Sequence, residues 1–126
     1  MTDDPKDELY RSDRYFKVWQ YTVGHRRLLL RSTRDRPPFT RIDVHFGAVG
    51  LMLLRPVYDG LLIRRATDEE CARVSREYGV EMEPGQHLFA LAEDLSSFVI
   101  SAQPQWHEDE GGVDDPSWFG HMVGTR

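Results

Sequence analysis

Residues 40–48 constrain this chain more than any other stretch. Ile42, Val44, Phe46 and Ala48 alternate there with Arg41, Asp43, His45 and Gly47. A period of two sorts side chains onto the two faces of an extended strand, one apolar and one polar. A helix would scatter both sets around its axis. Such a strand needs partners along its edges and a core against its apolar face.

The flanking sequence supplies candidate partners. Residues 15–23 are rich in aromatic and β-branched side chains, which favours a strand. Gly24-His25 suits a tight turn, and residues 26–32 read as the returning strand of a hairpin. Residues 33–39, with Pro37-Pro38, form a loop. Gly47 and Gly50 mark a bend before a strand over 51–55, which Pro56 ends. Tyr58-Asp59-Gly60 reads as a hairpin turn, because Asp-Gly supplies the positive φ that a tight turn needs, and a short strand over 61–65 follows. Further on, residues 87–93 and 96–105 read as two more strands, and Pro104 puts the last at a sheet edge or at its end.

One helix interrupts the strands. Thr67 and Glu70 have the spacing of a capping box, and Asp68, Glu69 and Glu70 fill the first turn, where the helix dipole favours acids. Cys71, Val74 and Tyr78 make a narrow apolar stripe, and Gly79 stands at the expected stop. The helix is predicted over 67–78, lying against the sheet or closing one end of a barrel.

About seven short strands and one helix predict a mainly β fold: a small antiparallel, strongly bent, partly closed β-barrel, with a sandwich as the alternative. The length of 126 residues fits one domain, placed at 14–107. An acid-rich tail over 1–13, with Leu9 and Tyr10 as an anchor, precedes it. An acidic, Gly-containing tail over 108–126 follows, with Trp118-Phe119 as a docking point. The acidic start does not read as a signal peptide and no apolar run reaches the length of a membrane span, so the expected location is the cytoplasm, with no membrane contact.

Charge is divided unevenly along the chain. Residues 14–66 hold eleven bases against three acids, whereas residues 67–126 hold three bases against thirteen acids. Arginine outnumbers lysine fourteen to two, a bias that fits either a GC-rich genome or selection for anion recognition. The basic half reads in three ways: a sheet neutralised internally by the acidic half, an interface steered by charge, or a grip on single-stranded nucleic acid with Phe16, Trp19 and Tyr21 stacking on bases. The net charge of -5 argues against nucleic acid, and internal compensation is the preferred reading.

Catalytic signatures are missing. There is no Gly-x-Ser-x-Gly elbow, phosphate-binding glycine loop or dinucleotide fingerprint. Cys71, the single cysteine, sits in the helix stripe and reads as packing. His25, His45, His87, His107 and His121 lack metal-ligand spacing, although Asp43 and His45 share a strand face, so neither metal nor cofactor is expected. The expected function is therefore a non-catalytic binding or interaction protein, with a protein partner or a homodimer. Its ligand-binding residues are expected to be Arg41, Asp43, His45 and Tyr21, and its interaction surface Arg27, Arg31 and Trp19, with Arg41, Asp43 and His45 the most exposed. The alternative is a ligand-binding or enzymatic barrel with a pocket near His45.

Overall fold

β1 (Glu8–Thr22) organises the sheet in the computed structural model, which describes residues 7–120. It is long enough to serve two neighbours. Residues 8–17 pair with β5 (Val57–Arg65), and residues 16–22 pair with β2 (Arg27–Ser32). The register slips between Ser12 and Tyr15 on one side and between Val18 and Gln20 on the other. Bulges of this kind bend a strand and increase its twist, so β1 curls the sheet on both flanks.

The remaining strands are β3 (Arg41–Phe46), β4 (Leu51–Leu53), β6 (His87–Ala90), β7 (Phe98–Ser101) and β8 (Gln105–Asp109). All eight join one antiparallel sheet in the order β4-β7-β6-β5-β1-β2-β3-β8. The mainly β class and the strong bending expected from sequence are what the structure has. It is one curled sheet that stays open between β4 and β8, not a sandwich.

Several boundaries differ from the sequence expectation, each for a tertiary reason. The first strand begins at Glu8 rather than near residue 14, because β5 offers an edge to the polar residues 8–13. Residues 1–6 lie outside the described residues. Asp59-Gly60 is not a hairpin turn but part of β5, where Gly60 has φ +90° opposite the Asp13-Arg14 bulge of β1. The strand expected over 96–105 is two, β7 and β8. β8 extends to Asp109, so Glu108 and Asp109 belong to the sheet and not to a tail.

Alternation sets the packing. Phe16, Leu28, Leu30, Val44, Phe46, Ile63, Phe89 and Val99 meet inside the curl. β6 and β7 are apolar on both faces, and their other face (Leu88, Phe98, Ile100) receives α1 (Asp68–Tyr78) through Val74. The helix has the caps its sequence promised. Thr67 accepts from the Glu70 N–H, Glu70 returns the bond to the Thr67 N–H, and Gly79 is left-handed. Among the described residues no helix is long and apolar enough to cross a membrane.

Candidate functional site

The polar face of β2 and β3 is where sequence placed the site. Cross-strand register sets Arg31 against Asp43, and β8 adds His107 beside Asp43 and Asp109 beside Arg41. These side chains point away from the curled core. The face is not open, however. Residues 110–120 run across it as a strap held by three arginines.

Arg41 is the strongest of the three. Its Nε and Nη2 donate to the two oxygens of Asp109, each at 3.1 Å. Nη1 donates to the carbonyls of Gly112 and Asp115 at 2.9 Å, and Nη2 also to that of Pro116 at 3.2 Å. These five bonds match the five N–H groups of a guanidinium. Arg31 grips Asp43 through Nε (2.8 Å) and Nη2 (3.1 Å), donates from Nη1 to the Val113 carbonyl (2.7 Å), and lies 4.9 Å over the Trp19 ring. Arg27 donates from Nε to His45 Nε2 and from Nη2 to the Phe119 carbonyl, both at 2.9 Å. Three side chains thus hold five carbonyls of one segment, which turns at residues 112–115 and 117–120.

Aromatic contacts finish the strap. Phe119 stacks on His45 with ring centres 5.2 Å apart, and Trp118 stacks on His107 at 4.4 Å. His45 accepts from Arg27, so it is neutral in this arrangement. Burial first, and then the Arg27 charge, lowers its pKa to about 4. Asp109 is held below the usual carboxylate range: burial opposes this, but the bonds from Arg41 and the Gly111 N–H outweigh it.

The sequence-predicted residues are only partly brought together. Arg31, Asp43, Arg41, His45, Arg27 and Trp19 share one face. Tyr21 does not join them; it pairs with Leu28 and packs against the inner core. The expected exposure of Arg41 and Asp43 is corrected, since they are 2% and 1% accessible beneath the strap. β3 turns Ile42, Val44 and Phe46 inward and Arg41, Asp43 and His45 outward, so these three polar side chains do not line the inside of the curl. His45 and His87 lie on β3 and β6, with three strands between them, and among the described residues no three ligating side chains form a metal-binding group. His121 lies outside the described residues. Burial, and then Asp68, raises the Cys71 thiol pKa, which is opposite to what a nucleophile needs.

A second feature was not anticipated. β5 pairs with β6 only at Arg64 and Arg65, because the chain leaves the ladder after Ala90 and Leu91 turns to donate to the Ser97 carbonyl. Arg64 fixes this departure by donating to the carbonyls of Ala92 and Glu93 while it grips Glu70. The result is a cleft of about 680 Å³ along β5, lined by Arg11, Asp13, Asp59, Leu62, Leu91 and Glu93 among others. A smaller hollow of about 330 Å³ shares Asp59, Gly60, Leu91 and Ala92 with it and continues toward Tyr58 and Ser97. The Asp-Gly pair was the available sequence signal, but it read as a turn. Compared with known proteins, the chain matches no family model, no curated protein and no solved structure.

Proposed function

We propose that this chain is a non-catalytic interaction protein that presents its strapped face to a protein partner. The observation that carries the reading is Trp118. It is 65% exposed, yet it is held by a stack on His107 and an edge contact with Phe119 at 5.4 Å. A large aromatic side chain that is ordered before binding loses little entropy on association, which is the property of an interface anchor. Val113 is exposed on the same segment, which also carries the exposed acids Glu110, Asp114 and Asp115. The complementary partner surface is basic with an apolar recess.

In this reading Arg27, Arg31 and Arg41 shape the interface from below and do not touch the partner. The test compares wild type with Trp118→Ala as immobilised baits, with bound proteins identified and their affinities measured. Truncating an exposed ring leaves the fold intact, so selective loss of a partner supports the reading. Identical partner sets, or none with either bait, reject it.

A further inference from the structure

The cleft along β5 is a separate surface with its own chemistry. Its first property is an interrupted ladder. Ala66 N–H donates to the Leu88 carbonyl, so by antiparallel alternation the main chain of Arg64 faces β6, and so does that of Leu62 where β6 has already departed. Val18 N–H donates to the Pro56 carbonyl, so Tyr58 faces β1 and the main chain of Asp59 faces the opening. The bulge opposite Gly60 reconciles the two parities. A stretch of β5 therefore presents main-chain donors and acceptors toward the cleft, which is the arrangement that accepts an added strand.

Its second property is charge. Asp13, Asp59 and Glu93 line the cleft against Arg11. Arg11 is committed to Glu8 at 3.0 Å and reaches Glu93 at 3.5 Å. Residues 14–66 contain only three acids. Asp43 belongs to Arg31 and Asp35 accepts from Thr33, which leaves Asp59 as the acid that this basic stretch turns to the cleft. Its third property is the apolar wall of Leu61, Leu62, Leu91 and Ala92. Along β5, Tyr58, Leu61 and Ile63 belong to the core, so Asp59 and Leu62 sit on the outer face.

We infer that the cleft binds an extended cationic segment of another protein as an added antiparallel strand on β5. Side chains of that segment would be apolar where they meet Leu62 and Ala92, and basic toward Asp13 and Asp59. The volume is that of a ligand site and holds a few residues of extended chain. This inference is independent of the strapped face, which lies on the other side of β1.

The probe is the blocked pentapeptide Ac-Lys-Val-Lys-Val-Lys-NH2, titrated into the full chain by calorimetry with amide NMR shifts recorded in parallel. Saturable binding with shifts at Leu62, Ala92 and Glu93 is expected. Asp59→Asn should weaken it about fivefold, the effect of losing one partly screened ion pair. Methylating the alternate peptide nitrogens should abolish it, whereas Trp118→Ala should leave it unchanged. Three results overturn the inference: equal binding of the glutamate analogue Ac-Glu-Val-Glu-Val-Glu-NH2, equal binding of the N-methylated peptide, or shifts confined to other surfaces. Concentration-dependent self-association that shifts the same amides without peptide would replace the cationic segment with a second copy of this chain.

Discussion

Arg31 and Arg41 show why a guanidinium is needed here and an ammonium would not serve. Each binds a carboxylate with two parallel bonds and still has donors for the strap. Lysine has three donors at one point and cannot span both targets. The Arg31 and Asp43 side chains are 1% and 2% exposed, so their pairing offsets desolvation that neither would survive alone. His45 carries the consequence for pH. Its folded pKa of about 4 lies below the ordinary 6.5, so the unfolded chain binds more protons between those values. Stability is therefore full above pH 6.5 and falls as the pH drops toward 4. Discounted for the part of the ring that solvent screens, the loss is about 1–2 kcal/mol. Denaturant melts across pH should show this fall in wild type and a flat line above pH 5 for His45→Gln, which keeps an acceptor for Arg27 without titrating. Glu70, held low by Arg64, loses its contribution only at lower pH, in the carboxylate range. Equal slopes in the two proteins between pH 6.5 and 5 would remove His45 as the cause.

At the scale of elements, what sequence revealed was what local chemistry decides. α1 was legible because Thr67, Glu70 and Gly79 each act within one turn of their own position. β3 was legible because alternation is a property of the strand itself. Residues 8–13 were not, since their polar sequence becomes a strand only when β5 supplies an edge. Asp59-Gly60 was misread for a related reason: a tight turn and the site opposite a bulge both ask for a positive φ, and only tertiary pairing tells them apart. The strap was half hidden: Trp118-Phe119 stood out as a docking point, but the rest of its hold on the sheet is made by its carbonyls, which no side-chain pattern reports. Gly60 separates the bulge from an ordinary strand position. Its φ of +90° disfavours any Cβ, although the nearest atom to one, the Ser12 carbonyl oxygen, would be 3.6 Å away. Gly60→Ala should therefore destabilise through the backbone and not by collision, by about 1–2 kcal/mol. Gly24→Ala, with no atom within 4 Å and no positive φ, should cost far less. Thermal melts of the two variants side by side check this, and equal melting temperatures would contradict it.

For the whole molecule, the division of charge along the chain becomes a pairing in space. Of the eleven bases in residues 14–66, Arg14, Arg26, Arg31, Arg41 and Arg64 form ion pairs. Four of the five carboxylates, Glu70, Glu83, Glu108 and Asp109, come from the acidic half. Arg27, Arg34, Arg36 and Arg65 donate to other atoms of the chain. A phosphate backbone would have to displace these partners, including buried ones, to reach nine of the eleven bases, with the exposed Lys17 and Arg55 the exceptions. Nucleic-acid binding draws much of its strength from phosphates that release counterions as they meet free cations, and the five arginines already paired with carboxylates are not free to meet them. Anisotropy of a labelled oligothymidylate should consequently stay flat as the chain is added at low salt. A saturable rise that vanishes steeply with added salt would mean that the arginines are available in solution, and the charge division would then serve recognition and not the fold.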